Sequence, residues 1–265
     1  MPLEELITAV TANPAYAGIA PSLVRRVAQC ELAKGRSRKE TVKAVRSKLH
    51  QVAGAYQEKG MDFPGWRRQL ADLPSESSSA AMRSFCEQVM KTHSSTRERL
   101  PILADFYSQV FASLPPIHSV LDLACGLNPL ALPWMPLAES ASYQACDIYM
   151  ELMDFLGEFI SHLGLNGDAC LCDLTESIPA QPVQLAIALK TLPVLEQLEK
   201  DLPARMLEEL NAEYILVSYP GHSLGGRSKG MVTNYAARFE SLTAGKGWGI
   251  QRFDFPGELA FLIRK

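Results

Sequence analysis

The sequence lacks the features that mark a membrane protein or a pyrophosphate-binding protein. Among its 265 residues, no apolar run approaches the roughly 18 residues that a membrane-spanning helix needs. The opening MPLEELITAV carries two glutamates where a secretory leader would carry lysines. Neither the dinucleotide signature G-x-G-x-x-G nor the triphosphate signature G-x-x-x-x-G-K-[ST] is present. We therefore expect a cytoplasmic protein, with no membrane association, whose ligand contains no pyrophosphate.

The six cysteines lack the paired spacing of a zinc site. Cys170 and Cys172 lie two residues apart in an apolar run, where strand side chains share a face. We expect buried, reduced thiols and no metal site, with metal binding as the weaker alternative. The cysteines are Cys30, Cys86, Cys125, Cys146, Cys170 and Cys172.

Positive charge is scarce overall but is concentrated near the start of the chain. The formal net charge of −3 by itself gives no reason to expect a nucleic-acid partner. Residues 1–59, however, hold ten lysines or arginines and five acids, so this part is +5 and the remainder is −8. The two parts of the chain therefore differ in the partners that their charge favours.

Before about residue 110, apolar residues recur at helical spacing. Ser37 and Glu40 form a capping-box pattern, which predicts the start of a helix. The apolar stripe of this helix comprises Val42, Val45, Leu49, Val52 and Tyr56, and its basic stripe comprises Lys39, Lys43, Arg46 and His50. A second such pattern, Ser95 to Glu98, predicts a helix toward Phe111 with a kink or a late start at Pro101.

From Ile117 onward, short apolar runs alternate with segments of helical length, which is typical of a parallel, doubly wound sheet. At the end, GIQRFDF and LAFLIRK flank a Pro-Gly turn and predict an antiparallel hairpin at one sheet edge. The five predicted parallel strands are Ser119 to Ala124, Ala141 to Asp147, Ala169 to Asp173, Leu185 to Leu189 and Tyr214 to Tyr219.

The segment LDLACGLNPLAL, residues 121–132, places a small-residue turn directly after the first strand. Ligands of open α/β sheets bind beyond the carboxyl ends of the strands. Asp147 ends the second strand, where an acid accepts ribose hydroxyls, and Asp173 ends the third, where it can meet an adenine amino group. Arg99, with the backbone of residues 93–95, can hold a carboxylate in a bidentate fork.

Ribose, adenine and an amino-acid end together describe S-adenosylmethionine. The alternative is that Asp122 and Asp147 only cap strand ends in a generic α/β protein.

Several longer segments resemble the aminoglycoside-resistance 16S ribosomal RNA methyltransferases of the Arm/Rmt type, and the likeness covers nearly the whole chain. The segments are HSSTRERL at 93–100, LDLACGLNPLAL, Cys146-Asp-Ile148, Ser218-Tyr-Pro220 and SLGGRSKGM at 223–231, with further likeness at 41–56. The resemblance implies methyl transfer from S-adenosylmethionine to guanine nitrogen seven in the decoding site (helix 44, A site) of 16S rRNA, in the assembled 30S subunit, with aminoglycoside resistance as the outcome.

The resemblance also implies a set of cofactor-binding residues. They are Tyr56, His93, Ser94, Ser95, Arg99, Ala124, Gly126, Asp147, Asp173, Leu174, Leu189 and Gln197. The chain departs from the family pattern at Arg97, at Pro101, and at Tyr219, where the family has Ser-Phe-Pro. The last departure leaves open which aromatic residue faces the target base.

Because nitrogen seven of guanine carries a lone pair in the neutral base, we expect no acid or base catalyst. Residues expected to position the extruded base are Asn128, Ser218, Tyr219 and Tyr235, although core packing is an equally good interpretation of Tyr235. Residues expected to bind RNA are Arg25, Arg26, Arg36, Arg38, Lys39, Lys43, Arg46, Lys48, Arg227 and Lys229. The alternatives are a solvated helix face for the N-terminal cations and a surface loop for residues 223–231.

These inferences together predict an α/β, Rossmann-like methyltransferase with a seven-stranded sheet and an antiparallel C-terminal hairpin. We expect a helical RNA-docking domain at 1–92, a methyltransferase domain at 93–265, no obligate protein partner and a monomer. Two other functions stay open: methylation of a small molecule, and RNA binding without catalysis by a protein with a vestigial cofactor pocket.

Overall fold

The computed structural model describes residues 2–54, 61–221 and 230–265. Tyr56, Arg227 and Lys229 lie outside these described residues. The helices are α1 Leu3–Thr11, α2 Pro14–Ala17, α3 Pro21–Leu32, α4 Arg38–Leu49, α5 Phe63–Ala71, α6 Ala80–Met90, α7 Ser94–Arg99, α8 Leu103–Phe111, α9 Met150–His162, α10 Leu192–Leu198, α11 Leu202–Glu209 and α12 Met231–Thr243. A π-helical segment spans His50–Gly54, and 3₁₀ segments span Leu100–Ile102 and Asn128–Trp134.

Seven strands form one mixed sheet in the order β3-β2-β1-β4-β5-β7-β6. They are β1 Ser119–Leu123, β2 Ser142–Asp147, β3 Asn166–Leu171, β4 Val183–Leu189, β5 Ala212–Pro220, β6 Gly249–Phe255 and β7 Glu258–Arg264. The first five strands in this order are parallel, and β7 is antiparallel to both β5 and β6. The predicted α/β fold with a C-terminal hairpin is therefore confirmed.

The N-terminal helices α1, α3 and α4 share a small core of their own. Leu6, Leu23 and Val45 are buried in it, together with Leu49. Helix α4 begins where the capping pattern predicts, since the backbone N–H of Ser37 donates to Glu40 Oε2 at 3.2 Å. The apolar stripe of α4 therefore faces α1 and α3.

Helices α5 and α6 join the core of the α/β region instead, α5 against α9 and α6 against the 3₁₀ segment Asn128–Trp134. The ring of Trp66 lies 5.4 Å from that of Phe155 on α9, and Met82 belongs to the same core as the strands. The division after residue 92 stays a prediction, but this packing favours a boundary before Phe63.

Local structure confirms the predicted interruption at Pro101 and corrects two other sequence expectations. The helix predicted from Ser95 begins at Ser94, and it is interrupted by the 3₁₀ segment around Pro101, as expected of a residue without a backbone N–H. Strand β3 lies two to three residues earlier than predicted. The prediction of burial was wrong for Cys30 and Cys170, which are exposed, whereas Cys86, Cys125 and Cys146 are buried free thiols.

No helix in the described parts of the chain is long and apolar enough to span a membrane.

Candidate cofactor pocket

A cavity, partly open to solvent, lies at the carboxyl edge of the parallel strands. This is the place where ligands of open α/β sheets bind. Nine predicted cofactor residues line it: His93, Ser95, Arg99, Ala124, Gly126, Asp147, Asp173, Leu174 and Leu189. Ser94 is buried but is not part of the lining, and Gln197 on α10 also lies outside it.

The turn after β1 is shaped by backbone geometry. Ala124 and Gly126 both have positive φ, of 47° and 51°. A Cβ on Gly126 would lie 2.9 Å from Cε1 of His93, so a larger residue would force the imidazole to move. The backbone N–H of Gly126 donates to Asp147 Oδ2 at 2.8 Å. The turn thus joins the ends of β1 and β2 into one rigid corner of the cavity.

The two predicted acids stand at this edge with different partners. Asp147 also accepts a hydrogen bond from the N–H of Ile148 at 2.6 Å, and burial raises the pKa of its carboxyl in spite of the two backbone donors. Asp173 accepts from the N–H and the hydroxyl of Thr175 through Oδ1, at 2.9 and 2.7 Å. Its Oδ2 is buried and has no hydrogen-bond partner among the described residues. Asp173 therefore presents an unsatisfied acceptor at the cavity.

Arg99 is fully buried and is committed to protein partners. Its Nη2 lies 2.6 Å from Glu258 Oε1, and its Nη1 donates to Asn128 Oδ1 at 3.1 Å. Although burial opposes ionisation, Arg99 and Lys190 hold the pKa of Glu258 below its usual range. Within the chain the guanidinium of Arg99 is held by Glu258 and Asn128, and its predicted contact with a ligand carboxylate stays a prediction.

Sequence reasoning missed Lys190 and Glu258. Lys190, at a positive φ of 58° just after β4, lines the cavity and donates through Nζ to Glu98 at 2.8 Å and to the carbonyl of Ser95 at 3.3 Å. Its Nζ also lies 3.4 Å from Glu258 Oε2. The position of Lys190, directly after the apolar strand β4, could have indicated a site residue at the ligand edge of the sheet. Glu258 follows the Pro-Gly turn of the hairpin, where a charged residue is common, so its position carries no such indication.

Asn128 and Ser218, predicted to position the base, are buried parts of this same network. Asn128 accepts from Arg99 and from the hydroxyl of Tyr107 at 2.6 Å, and it donates to Asp122 at 2.9 Å. The hydroxyl of Ser218 donates to Glu258 at 2.6 Å. Asn128 lines the cavity and Ser218 does not.

Asp122, on β1, accepts hydrogen bonds from Asn128 and from the hydroxyl of Tyr143. It is fully buried, and this burial raises the pKa of its carboxyl to about 7, although the two hydrogen bonds lower it.

Tyr219 and Tyr235 stack on each other, with ring centroids 4.8 Å apart. Tyr219 also packs edge-on against Phe239 and Phe261. Neither tyrosine lines the cavity. The core-packing interpretation of Tyr235 therefore describes their contacts here, and their role toward a base stays a prediction.

The predicted RNA-binding cations fall into two groups. Arg38, Lys39 and Lys43 are exposed and line a surface groove with Arg46, whose Nη2 donates to the carbonyl of Ala9 at 2.6 Å. The other four described cations have partners within the chain. Arg25 pairs with Glu4, Arg26 with Glu199, Arg36 with Glu31, and Lys48 with the carbonyl of Gln197.

This sheet order, with Asp122, Asp147 and Asp173 lining a pocket at its carboxyl edge, is that of the S-adenosylmethionine-dependent methyltransferases. Residues 13–262 match the family model described as ribosomal RNA methyltransferase (FmrO). The chain belongs to this family, which confirms the resemblance found in the sequence.

Relatives and solved structures agree with this assignment over nearly the full length. A 16S rRNA (guanine(1405)-N(7))-methyltransferase of Micromonospora rosea is 36% identical, with 99% of this chain and 97% of the relative covered. The Serratia marcescens enzyme of the same name is 34% identical, with 100% of this chain and 99% of the relative covered. The crystal structure of the 16S rRNA methyltransferase RmtF in complex with S-adenosyl-L-homocysteine superposes with a TM-score of 0.86 at 31% identity, covering 99% and 98%. The structure of the 16S rRNA methylase RmtB superposes with a TM-score of 0.80 at 31% identity, with 100% of this chain and 99% of that chain covered.

Proposed function

We propose that the protein transfers a methyl group from S-adenosylmethionine to nitrogen seven of a guanine in 16S rRNA, the guanine numbered 1405 in the names of its relatives, and that the outcome is aminoglycoside resistance. Its substrate is the rRNA within the assembled 30S subunit. The observation that carries this proposal is the acid-lined cavity at the strand ends of a chain that belongs to the rRNA methyltransferase family. The enzyme acts as a cytoplasmic monomer.

The residues of the cavity fit the cofactor. Asp147 has both oxygens oriented by backbone donors and keeps lone pairs for ribose hydroxyls. Asp173 Oδ2 supplies a free acceptor for an adenine amino group. Apolar side chains such as Leu174 and Leu189 complete the lining. When bound, S-adenosylmethionine supplies an electrophilic methyl group on a positively charged sulfur.

The charge state of the cavity suits such a cation. Burial, together with the nearby Arg99 and Lys190, lowers the pKa of His93 to about 4, so its imidazole is neutral at physiological pH. Arg99 and Lys190 are each paired with acids, which offsets their charges. The protein therefore adds no unpaired positive charge from these three residues.

The reaction requires positioning more than proton transfer. Nitrogen seven of guanine attacks with its lone pair, so no residue has to remove a proton first. In-line alignment can contribute several kcal/mol, on the order of 7 or more in well-oriented systems. The corner made by Gly126 and Asp147 supports such alignment, because the hydrogen bond between them holds the ends of β1 and β2 together.

The target base has to leave its helix before it can enter a pocket, at a cost of a few kcal/mol. Contacts with RNA phosphates offset this cost and set the register of docking. The groove formed by Arg38, Lys39, Lys43 and Arg46 is the docking surface that we propose. Such binding should weaken steeply as salt rises, because phosphate contacts release counterions.

Transfer of tritium from labelled S-adenosylmethionine tests this function. Purified 30S subunits, free 16S rRNA and a panel of small nucleosides are incubated in parallel with the enzyme. We expect label in 30S subunits and little in the other two samples. Label only in small molecules would overturn the rRNA assignment, and label only in free RNA would overturn the requirement for an assembled subunit.

A further inference from the structure

The N-terminal helices form part of the cavity wall. Leu23 on α3 and Val52 in the π-helical segment both line it. Val194 and Leu198, on α10, line the same cavity and also pack against the core that α1, α3 and α4 share. A pocket built in this way keeps its shape only while α3 and α10 stay together.

Backbone hydrogen bonds attach the segment between α2 and α3 to the residues that follow β2, next to Asp147, the acid that we propose for the ribose hydroxyls. Ile19 pairs with Tyr149 in an isolated antiparallel bridge. The N–H of Ala20 donates to the carbonyl of Ile148 at 2.8 Å, and the N–H of Met150 donates to that of Gly18 at 3.0 Å. Because Ile148 directly follows Asp147, this bridge fixes one end of the N-terminal wall.

Two cations fix the other end, at the C-terminus of α10. Arg26 on α3 forms an ion pair with Glu199, the C-cap residue of α10. Lys48 on α4 donates a hydrogen bond to the carbonyl of Gln197, in the last turn of α10. Cations are stabilising at this end of a helix, where carbonyl groups lack intrahelical partners. Arg205 lies 3.6 Å from Glu199 and reinforces the same carboxylate.

We propose that Arg26 and Lys48 are positioning residues for cofactor binding: with Glu199 and the Gln197 carbonyl they form a clasp that holds the N-terminal helices as one wall of the cofactor pocket. Arg26 and Lys48 then serve within the molecule and not as ligands of RNA phosphate. This inference deepens the proposed function, since it rests on the cavity binding S-adenosylmethionine, but it does not depend on which molecule is methylated.

The test compares neighbouring arginines on one helix. Arg26→Glu breaks the clasp, whereas Arg25→Glu, the matched control, breaks only the outward pair with Glu4. Calorimetric titration with S-adenosylhomocysteine should show binding weakened about tenfold in the first variant and by less than about twofold in the second. Arg26→Lys, which keeps the charge, should bind nearly as the natural protein does.

A double reversal separates the clasp from general damage to the fold. Arg26→Glu with Glu199→Arg restores opposite charges, so S-adenosylhomocysteine affinity should return to within about threefold of the natural value. In methylation assays, Arg26→Glu should raise KM for S-adenosylmethionine and leave kcat at saturating cofactor nearly unchanged. Thermal unfolding of each variant checks that it is folded.

Two outcomes would overturn the clasp. One is unchanged S-adenosylhomocysteine binding in Arg26→Glu together with weaker binding to 30S subunits, which would make Arg26 a phosphate ligand. The other is equal loss in the Arg25 and Arg26 variants, which would make the effect a general one of charge. If Arg26→Glu does not fold, Lys48→Met takes its place, with about threefold weaker binding expected and unchanged binding contradicting the proposal. Neither result alters the rRNA assignment, which the tritium transfer tests separately.

Discussion

Gly126 meets two demands at once: its φ of 51° lies in the left-handed region, and its α-carbon faces the His93 ring. The sequence pattern around it predicted a small-residue turn at the ligand edge, and the structure adds the reason why the residue is small. The neighbouring acids Asp147 and Asp173 were also predicted at this edge, because the carboxyl ends of parallel strands lie together. Backbone and strand order were therefore enough to place these three residues.

Arg99 lines the cavity as predicted, but its partner within the chain was not predicted. Its carboxylate is Glu258, 159 positions later in the chain. The antiparallel register of β5 and β7 sets Glu258 beside Pro220, at the ligand edge of the sheet. Sequence spacing does not reveal such a pairing, since it depends on how the hairpin returns across the sheet.

Substitution of Gly126 by alanine should weaken cofactor binding through contact with His93. We expect Gly126→Ala to bind S-adenosylhomocysteine at least about tenfold more weakly in calorimetry. Gly35→Ala is the control, because Gly35 has a similar φ of 66° with nothing within 4 Å of an added Cβ. Both variants should lose about 1–2 kcal/mol of stability from the strained φ. Equal cofactor affinity in the two variants would contradict the role of this contact.

Asp173→Asn replaces one carboxylate oxygen by a donor and keeps the shape of the side chain. If Oδ2 is the acceptor for the adenine amino group, S-adenosylhomocysteine affinity should fall about tenfold, the size of one lost hydrogen bond. Asp154→Asn, on the exposed face of α9, should leave affinity unchanged. Affinity of the Asp173 variant equal to that of the control would remove Asp173 from the site.

Asp122 should make the stability of the protein depend on pH. Its carboxyl has a pKa of about 7 in the folded protein and 3.8 without burial, so the folded state binds more protons between these values. The free energy of unfolding contributed by this group is therefore greatest below about pH 4 and falls by a few kcal/mol as pH rises to about 7.

Urea unfolding at several pH values measures this effect. Asp122→Asn, which stays neutral, should show a flatter profile and greater stability than the natural protein at pH 8. Parallel profiles for the two proteins would mean that Asp122 is ionised in the folded state throughout this range.

At the level of helices and strands, the hairpin and all five parallel strands were predictable, four of the five because mostly buried strands carry near-continuous apolar runs. Strand β3 was placed late, since it is an edge strand that begins with Asn166, Gly167 and Asp168 and is largely exposed. Helices α5 and α6 were grouped with the N-terminal helices, because helical periodicity reveals an apolar face but not the surface that covers it. Contacts such as that of Trp66 with Phe155 favour placing α5 with the sheet, and the division after residue 92 stays a prediction.

Helix α4 presents its basic stripe on the side away from its core, and this arrangement gives a prediction for docking. Lys39→Glu with Lys43→Glu should reduce methylation of 30S subunits at least about tenfold at physiological salt and leave S-adenosylhomocysteine binding unchanged. Lys246→Glu with Arg264→Glu, both exposed at the edge of the sheet that lies away from the cavity, is the control for the same change in net charge. Unchanged subunit methylation in the double variant would show that α4 is not the docking surface.

At the scale of the whole molecule, the +5 charge of residues 1–59 predicted a surface for RNA but not how many of its cations are available. Several are engaged within the chain, among them Arg26 and Lys48, which join the N-terminal helices to α10. Net charge along a sequence does not register such pairs. The N-terminal part therefore has two tasks in our account: its outer groove meets RNA, and its inner face closes the cofactor pocket.

The position of the new methyl group is the decisive measurement, because the proposed enzyme methylates nitrogen seven on one guanine of 16S rRNA. Guanine methylated at this nitrogen becomes sensitive to strand scission by borohydride and aniline, so primer extension on treated rRNA locates it. After incubation of 30S subunits with enzyme and S-adenosylmethionine, we predict a single new scission at the guanine numbered 1405 in the names of the relatives, and a several-fold weaker scission there with Asp173→Asn at limiting cofactor. Tritium incorporation without any scission, or scission at a different guanine, would contradict the account.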